Sequence, residues 1–155
     1  MLSCCMRVVL DTSVFVSAVM SGNGAARAVM RLCLQGVLQP LMGNALANEY
    51  EDVCARTDIF ERAPIAAAAR DELLDAYFAS CEWISIYYLW RPNIRDEADN
   101  HVIELAVGGG ATSIVTFNKR DFASAELIFP GLWIGSPQEF LTVRMNDEYA
   151  DDKAS

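Results

Sequence analysis

Arg7-Val8-Val9-Leu10-Asp11-Thr12-Ser13-Val14-Phe15-Val16 is the stretch whose reading decides the fold. Val8, Val9 and Leu10 are a short apolar run without the alternation of a half-exposed strand, which is the pattern of a strand buried on both faces. Asp11 falls where that strand should end, and ligands of open α/β sheets bind outside the carboxyl ends of the strands. Two roles are open to it at this point. It can N-cap the following helix, with Thr12 and Ser13 as turn formers, or it can present a carboxylate to a ligand. Other acids arriving at the same edge would favour the second role.

The rest of the chain alternates in the same way. Ala25, Ala28, Val29, Leu32 and Cys33 recur at helical spacing until Gly36 supplies a stop signal. Residues 37–42 read as a second strand. Asn44 then reads as the N-cap of a helix to about Asp58, with Leu46, Tyr50, Val53 and Cys54 as its apolar stripe. Pro64 opens a helix ending near Cys81, with Ile65, Ala69, Leu73, Tyr77 and Phe78 inward. Residues 82–89, rich in aromatic and β-branched types, read as a third strand closed by Arg91-Pro92-Asn93. Val102, Ile103, Ala106 and Val107 mark a helix closed by Gly108-Gly109-Gly110. Residues 112–116 and 132–134 read as the last two strands. Ser136-Pro137-Gln138-Glu139 has the capping-box pattern of a final helix through Phe140 and Leu141.

Strands alternating with helices predict an α/β fold, a three-layer α/β/α sandwich on a mainly parallel sheet of about five strands. A length of 155 residues fits one domain with a proper core. That domain is expected over residues 6–143, after a short extension and before an acidic, disordered tail over 144–155. Hydrophobic content of 53% with 21% charge is ordinary globular composition. Charged residues interrupt every apolar stretch, so no membrane span is expected, and residues 1–6 are too short and uncharged for a secretory signal. The cysteines are Cys4, Cys5, Cys33, Cys54 and Cys81, an odd count without a Cys-x-x-Cys pair. With His101 the only histidine, this argues against a disulfide framework and a thiolate zinc site. A reducing cytoplasm is the expected compartment. A net charge of −9 opposes non-specific binding to nucleic acid. It leaves a nucleic-acid enzyme open, because metal ions can carry positive charge to the phosphate.

The acids then converge. Glu49 lies three residues after Leu46 and four before Val53, on the inward face of its helix, whereas Glu51 and Asp52 are better placed for solvent. An inward acid needs a partner, either an arginine or a shared site. Asp99 stands three before Val102 and four before Ile103, inward by the same spacing, with Asp96 one turn earlier. Acids there also suit a helix N-terminus. Asn118-Lys119-Arg120-Asp121 is a polar loop directly after the fourth strand. Parallel strands end at one edge, which gathers these segments beside Asp11. Carboxylates without histidine or thiolate ligands suit a hard cation, Mg²⁺ or Mn²⁺, able to activate water for in-line attack on a phosphodiester. No serine or cysteine triad is visible, and His101 reads as a surface or packing residue.

Four motifs in order then resemble the PIN-domain family. They are the Val8–Val16 stretch, Glu49, the run Asp96-x-x-Asp99-Asn100-His101-Val102-Ile103-Glu104-Leu105-Ala106, and Ile114-Val115-Thr116-Phe117-Asn118-Lys119-Arg120-Asp121-Phe122. The closing Ser136-Pro137-Gln138-Glu139-Phe140-Leu141 is similar to the end of that domain, so the resemblance covers about residues 6–143. It implies a metal-dependent endoribonuclease and particularly resembles the bacterial toxin components of toxin–antitoxin systems. That implies RNA as substrate, a cognate antitoxin as partner, and a homodimer. Carried over by position, Asp11, Glu49 and Asp99 are the principal acids, Asp121 completes the set and Asp96 assists. Thr12 and Ser13 stand beside the first acid, and Thr116 matches the hydroxyl ending the fourth strand. Many toxin members carry aspartate where this chain has Asn118, which would weaken a second metal. Lys119 and Arg120 are candidate phosphate contacts. Two other classes compete. One is a catalytically weak RNA- or protein-binding module, motivated by Asn118 and the acidic surface. The other is a phosphoacceptor or aspartyl phosphatase, for which Ser13 stands where a second aspartate is wanted.

Overall fold

The computed structural model describes residues 6–20, 24–56, 67–85, 100–122 and 129–145. The decisive stretch forms β1 (Met6–Leu10) followed at once by α1 (Thr12–Met20). Val8, Val9 and Leu10 are all fully buried. Successive strand side chains point to opposite faces, so three buried in a row require cover on both. The chain continues through α2 (Ala25–Leu34), β2 (Leu38–Met42), α3 (Asn44–Ala55), α4 (Ala67–Ser80) and β3 (Glu82–Trp83). Then come α5 (Asn100–Gly108), β4 (Ser113–Val115), a 3-10 turn over Lys119–Phe122 and β5 (Trp133–Gly135). α6 (Pro137–Glu139) runs on into a π-helical segment, Phe140–Met145. The result is the expected α/β/α sandwich.

All pairings in the five-stranded sheet are parallel, in the order β3-β2-β1-β4-β5. The chain lays β2 and β3 outward on one flank of β1, then crosses to place β4 on the other. Strand order therefore reverses between β1 and β4, the switch point at which open α/β sheets bind ligands. Leu10 pairs with Val115 there, and the Asp11 amide still donates to the Val115 carbonyl at 3.0 Å. Asp11 and Thr116 consequently leave the sheet side by side. The opposite end of β1 is tied shut: Arg7 Nε donates to the Gly109 carbonyl at 2.9 Å, and its guanidinium pairs with Glu82.

Gly36 ends α2 as expected. Its amide donates to the Cys33 carbonyl at 3.2 Å and that of Val37 to the Leu32 carbonyl at 3.0 Å, a Schellman closure with Gly36 at φ +82°. No atom would meet an added Cβ there, so only the left-handed backbone resists substitution. Gly36→Ala is expected to lower the unfolding free energy by about 1 kcal/mol, read as a lower urea midpoint with unchanged m-value.

Several details differ from the sequence reading. The N-cap of α3 is Gly43, in extended conformation and without a side-chain cap bond, and Asn44 is the first helical residue. α4 buries Arg70, Leu74 and Tyr77, whereas Ala69 is exposed and Leu73 half-buried. The face shifts by a residue because Arg70 turns inward and donates to the Cys54 carbonyl at 3.3 Å, putting a cation on the C-terminal end of α3. β3 is only two residues long, although Ile84 prolongs the pairing with a bond to the Met42 carbonyl at 2.8 Å. Residues 86–89, Pro64, Ile65, Cys4 and Cys5 lie outside the described residues. Cys33, Cys54 and Cys81 are buried free thiols. The Ser136 capping box forms in both directions: Glu139 N donates to Ser136 Oγ at 3.1 Å and Ser136 N to Glu139 Oε1 at 2.9 Å. Its helix extends to Met145, and residues 146–155 lie outside the described residues. Among the described residues no helix is long and apolar enough to cross a membrane.

Candidate functional site

Asp11 sits at the switch point with 6% of its surface exposed. Its carboxylate oxygen Oδ2 accepts two hydroxyl bonds, from Ser13 Oγ and Thr116 Oγ1, each 2.9 Å long. Both hydroxyls are in turn fixed from behind. The Phe117 amide donates to Ser13 Oγ at 3.2 Å, and the Asn118 amide to Thr116 Oγ1 at 2.9 Å. The end of β1, the first turn of α1 and the loop after β4 are thus joined through one oxygen atom. Oδ1 accepts no such bond among the described residues, which leaves it as the oxygen available to a ligand. The Asp11 side chain accepts from no helix amide among the described residues; its main-chain carbonyl accepts from the Val14 amide at 3.0 Å, as that of a residue opening a helix does.

α3 reaches this point because Tyr50 anchors it. The fully buried Tyr50 hydroxyl donates to the Leu10 carbonyl at 2.7 Å, one residue before Asp11. Its ring lies within an aromatic cluster of Phe15, Tyr77 and Phe78, at centroid distances of 5.6, 5.7 and 6.0 Å. Burial, far more than the nearby Asp11 charge, holds the phenol well above its usual pKa, so it remains a neutral donor. The neighbouring residue in sequence, Glu49, is thereby set at the mouth of the site. Its partner is not an arginine. His101 Nε2, on the first turn of α5, stands 3.4 Å from Glu49 Oε2. His101, read from sequence as a surface or packing residue, is half-buried against a site acid.

These groups border an open cleft of about 260 Å³ lined by Asp11, Thr12 and Asn118 from the strand ends, and by Glu49, Asp52, Val53 and Arg56 from α3 and its C-cap. The structure therefore gathers Asp11, Thr12, Glu49 and Asn118, with Ser13 and Thr116 bonded to Asp11 behind them. Lys119, Arg120 and Asp121 are exposed on the following 3-10 turn and are not among the lining residues. Lys119 Nζ faces Glu139 Oε2 at 3.9 Å, a pair on the surface. Asp96 and Asp99 lie outside the described residues. Asp52 and Arg56 also line the cleft, Asp52 being exposed to solvent as its helix position predicts. Asp52 sits three residues after Glu49 and Arg56 four after Asp52, a helical spacing that places them along one side of α3.

The lining donors are oxygens, the type that suits a hard cation. Among the described residues no three histidine, cysteine or acidic side chains stand together as a preformed cage. Mg²⁺ does not need one, since it keeps several waters and takes one or two carboxylates. Asp11 Oδ1 and the Glu49 carboxylate, with the Asn118 side chain alongside, fit that demand. A family model described as "PIN domain" matches residues 7–120, from the start of β1 to the loop after β4. No curated protein matches the chain.

Proposed function

Because this chain belongs to the PIN-domain family, whose members are generally nucleases using divalent metal ions, we propose that it is a Mg²⁺- or Mn²⁺-dependent endoribonuclease hydrolysing RNA phosphodiesters. The observation that carries the reading is Asp11, a nearly buried carboxylate held through one oxygen at the sheet's switch point, with the other bonded to no donor among the described residues.

The metal supplies Lewis-acid polarisation of the phosphate and an activated water. The chain's own residues do the rest. Ser13 and Thr116 fix the rotamer of Asp11, so that Oδ1 is presented without reorganisation when a ligand arrives. Glu49, with His101 Nε2 3.4 Å from its Oε2, is proposed to serve the metal through its carboxylate or to take the proton of an attacking water. Arg56, which lines the cleft, is proposed to meet the phosphate with its positive charge. Asp99 is proposed as a further ligand, supported by His101, two residues on, which meets Glu49. Asp96 is proposed to assist, and Asp121 to complete the set from the loop after β4. Lys119 and Arg120 are proposed phosphate contacts on the same loop. The biological setting we infer is that of a cytoplasmic toxin restrained by a cognate antitoxin, with homodimerisation expected. Motif resemblance alone supports that setting.

Asn118 in the cleft, where an acid is usual in toxin members, favours a second reading, a PIN-fold binding module with weak chemistry. One experiment separates the two. The nuclease reading expects cleavage of a panel of RNAs with Mn²⁺ or Mg²⁺, its loss with chelator, and calorimetric heats of metal binding. Absence of divalent binding at millimolar metal, together with absence of cleavage, would leave the module.

A further inference from the structure

Phe117 has no structural task that explains its exposure. At 51% it is the most exposed of the large hydrophobic residues described. Trp83, nearly as exposed at the sheet edge, is accounted for: its indole N–H donates to the Phe78 carbonyl at 3.1 Å and its ring packs edge-on against Phe78 at 5.5 Å. Phe117 makes no such ring contact among the described residues. Its backbone, by contrast, is clamped. The Phe117 amide bonds Ser13 Oγ, the Asn118 amide bonds Thr116 Oγ1, and the Asp121 amide closes the turn on the Asn118 carbonyl at 3.0 Å. A rigid loop thus holds an exposed aromatic ring two hydrogen bonds from the Asp11 carboxylate, beside Asn118 of the cleft and ahead of exposed Lys119 and Arg120.

Charge supplies the second argument. A chain of net charge −9 gains little from non-specific attraction to a polyanion. Base stacking on an aromatic face does not depend on charge and tolerates any base sequence. A base inside a duplex is already stacked on both sides and cannot be offered to such a ring, whereas single strands expose theirs.

We propose that Phe117 is a stacking platform for an unpaired nucleobase next to the phosphate engaged at Asp11. This rests on the nuclease reading for the identity of the ligand. The test measures binding of a labelled single-stranded RNA and a labelled RNA duplex in the Asp11→Asn background, which is not expected to cleave. Phe117→Ala is expected to weaken single-strand binding about tenfold or more, with duplex binding unmoved. Phe117→Leu, apolar but without a π-face, is expected to lose as much, and Phe117→Trp to bind at least as well, with its added emission quenched by RNA. The position is exposed, so these variants should fold, which thermal midpoints check.

Leucine binding as tightly as phenylalanine would overturn the proposal. So would an equal loss on duplex, or absence of single-strand binding in the parent. Unchanged RNA binding by the alanine variant would also overturn it and leave the ring to a protein contact. Cleavage by the wild-type chain, measured in parallel with Mn²⁺, keeps the two readings apart. Phe117-dependent binding without cleavage rejects the nuclease and retains the platform. Cleavage that is indifferent to the Phe117→Leu substitution rejects the platform alone.

Discussion

Asp11→Asn is expected to lower metal-supported RNA cleavage by at least about a hundredfold while leaving the fold intact. An asparagine amide oxygen can take the place of Oδ2 and keep both hydroxyl bonds from Ser13 and Thr116. Its amide nitrogen then stands where Oδ1 was, a donor in place of an anionic acceptor, and a cation loses its nearest charge. Asp11→Ala removes the acceptor as well. It strands two hydroxyls at a site only 6% exposed, at a cost of about 1–3 kcal/mol. The pair separates chemistry from stability. Both variants should be inert, but only alanine should shift the urea midpoint clearly. Undiminished cleavage by the asparagine variant would remove Asp11 from the site. In a host, induction of the wild-type chain is expected to arrest growth and Asp11→Asn to relieve the arrest. Growth unaffected by the active chain would sink the toxin assignment without touching the nuclease one.

What could be read beforehand follows from how local each determinant is. The unbroken run of Val8, Val9 and Leu10 reports burial on both faces, and the alternation of strands with helices along the chain then selects a helix-covered parallel sheet. Asp11 at the strand end, Gly36 and the Ser136 capping box are equally local, and each stands where expected. Other features depend on contacts between segments far apart in the chain, or on where a helix begins by one residue. Arg70 turns inward because the end of the preceding helix, α3, offers a carbonyl, which apolar periodicity cannot register. His101 meets Glu49 only because α3 and α5 pack together. Asn44 has the residue type of a cap, yet Gly43 occupies that position, since the chain must leave β2 in an extended conformation. In the loop after β4, the sequence places Asn118 and Asp121 at the same sheet edge without saying which of them lines the cleft. The 3-10 turn buries Phe122, brings Asn118 to the cleft and leaves Asp121 exposed beside it.

The largest stability effect is expected at Tyr50, where fold and site meet. Tyr50→Ala empties a fully buried aromatic position and should cost about 3–5 kcal/mol, a large share of the stability of a domain this size. Tyr50→Phe isolates the hydroxyl. It deprives the Leu10 carbonyl of a 2.7 Å partner in the interior, for about 1–2 kcal/mol. Tyr77 provides the internal control. Its ring stacks on Tyr50 at 5.7 Å and 18°, equally buried, but its hydroxyl makes no hydrogen bond of good geometry among the described residues, lying only near the Tyr50 hydroxyl and the Cys81 thiol. Removing that oxygen breaks no well-formed bond, and the Tyr50 hydroxyl keeps its acceptor at Leu10, so Tyr77→Phe should cost less than Tyr50→Phe. Urea unfolding of the two phenylalanine variants decides the matter. Equal midpoints would mean that the Tyr50 bond does not hold α3 against β1. Unequal midpoints, with Tyr50→Phe also needing more Mn²⁺ for half-maximal cleavage, would show that this bond sets Glu49 relative to Asp11. The ring cluster would then keep α3 packed, and the single hydroxyl would fix its height along the strand.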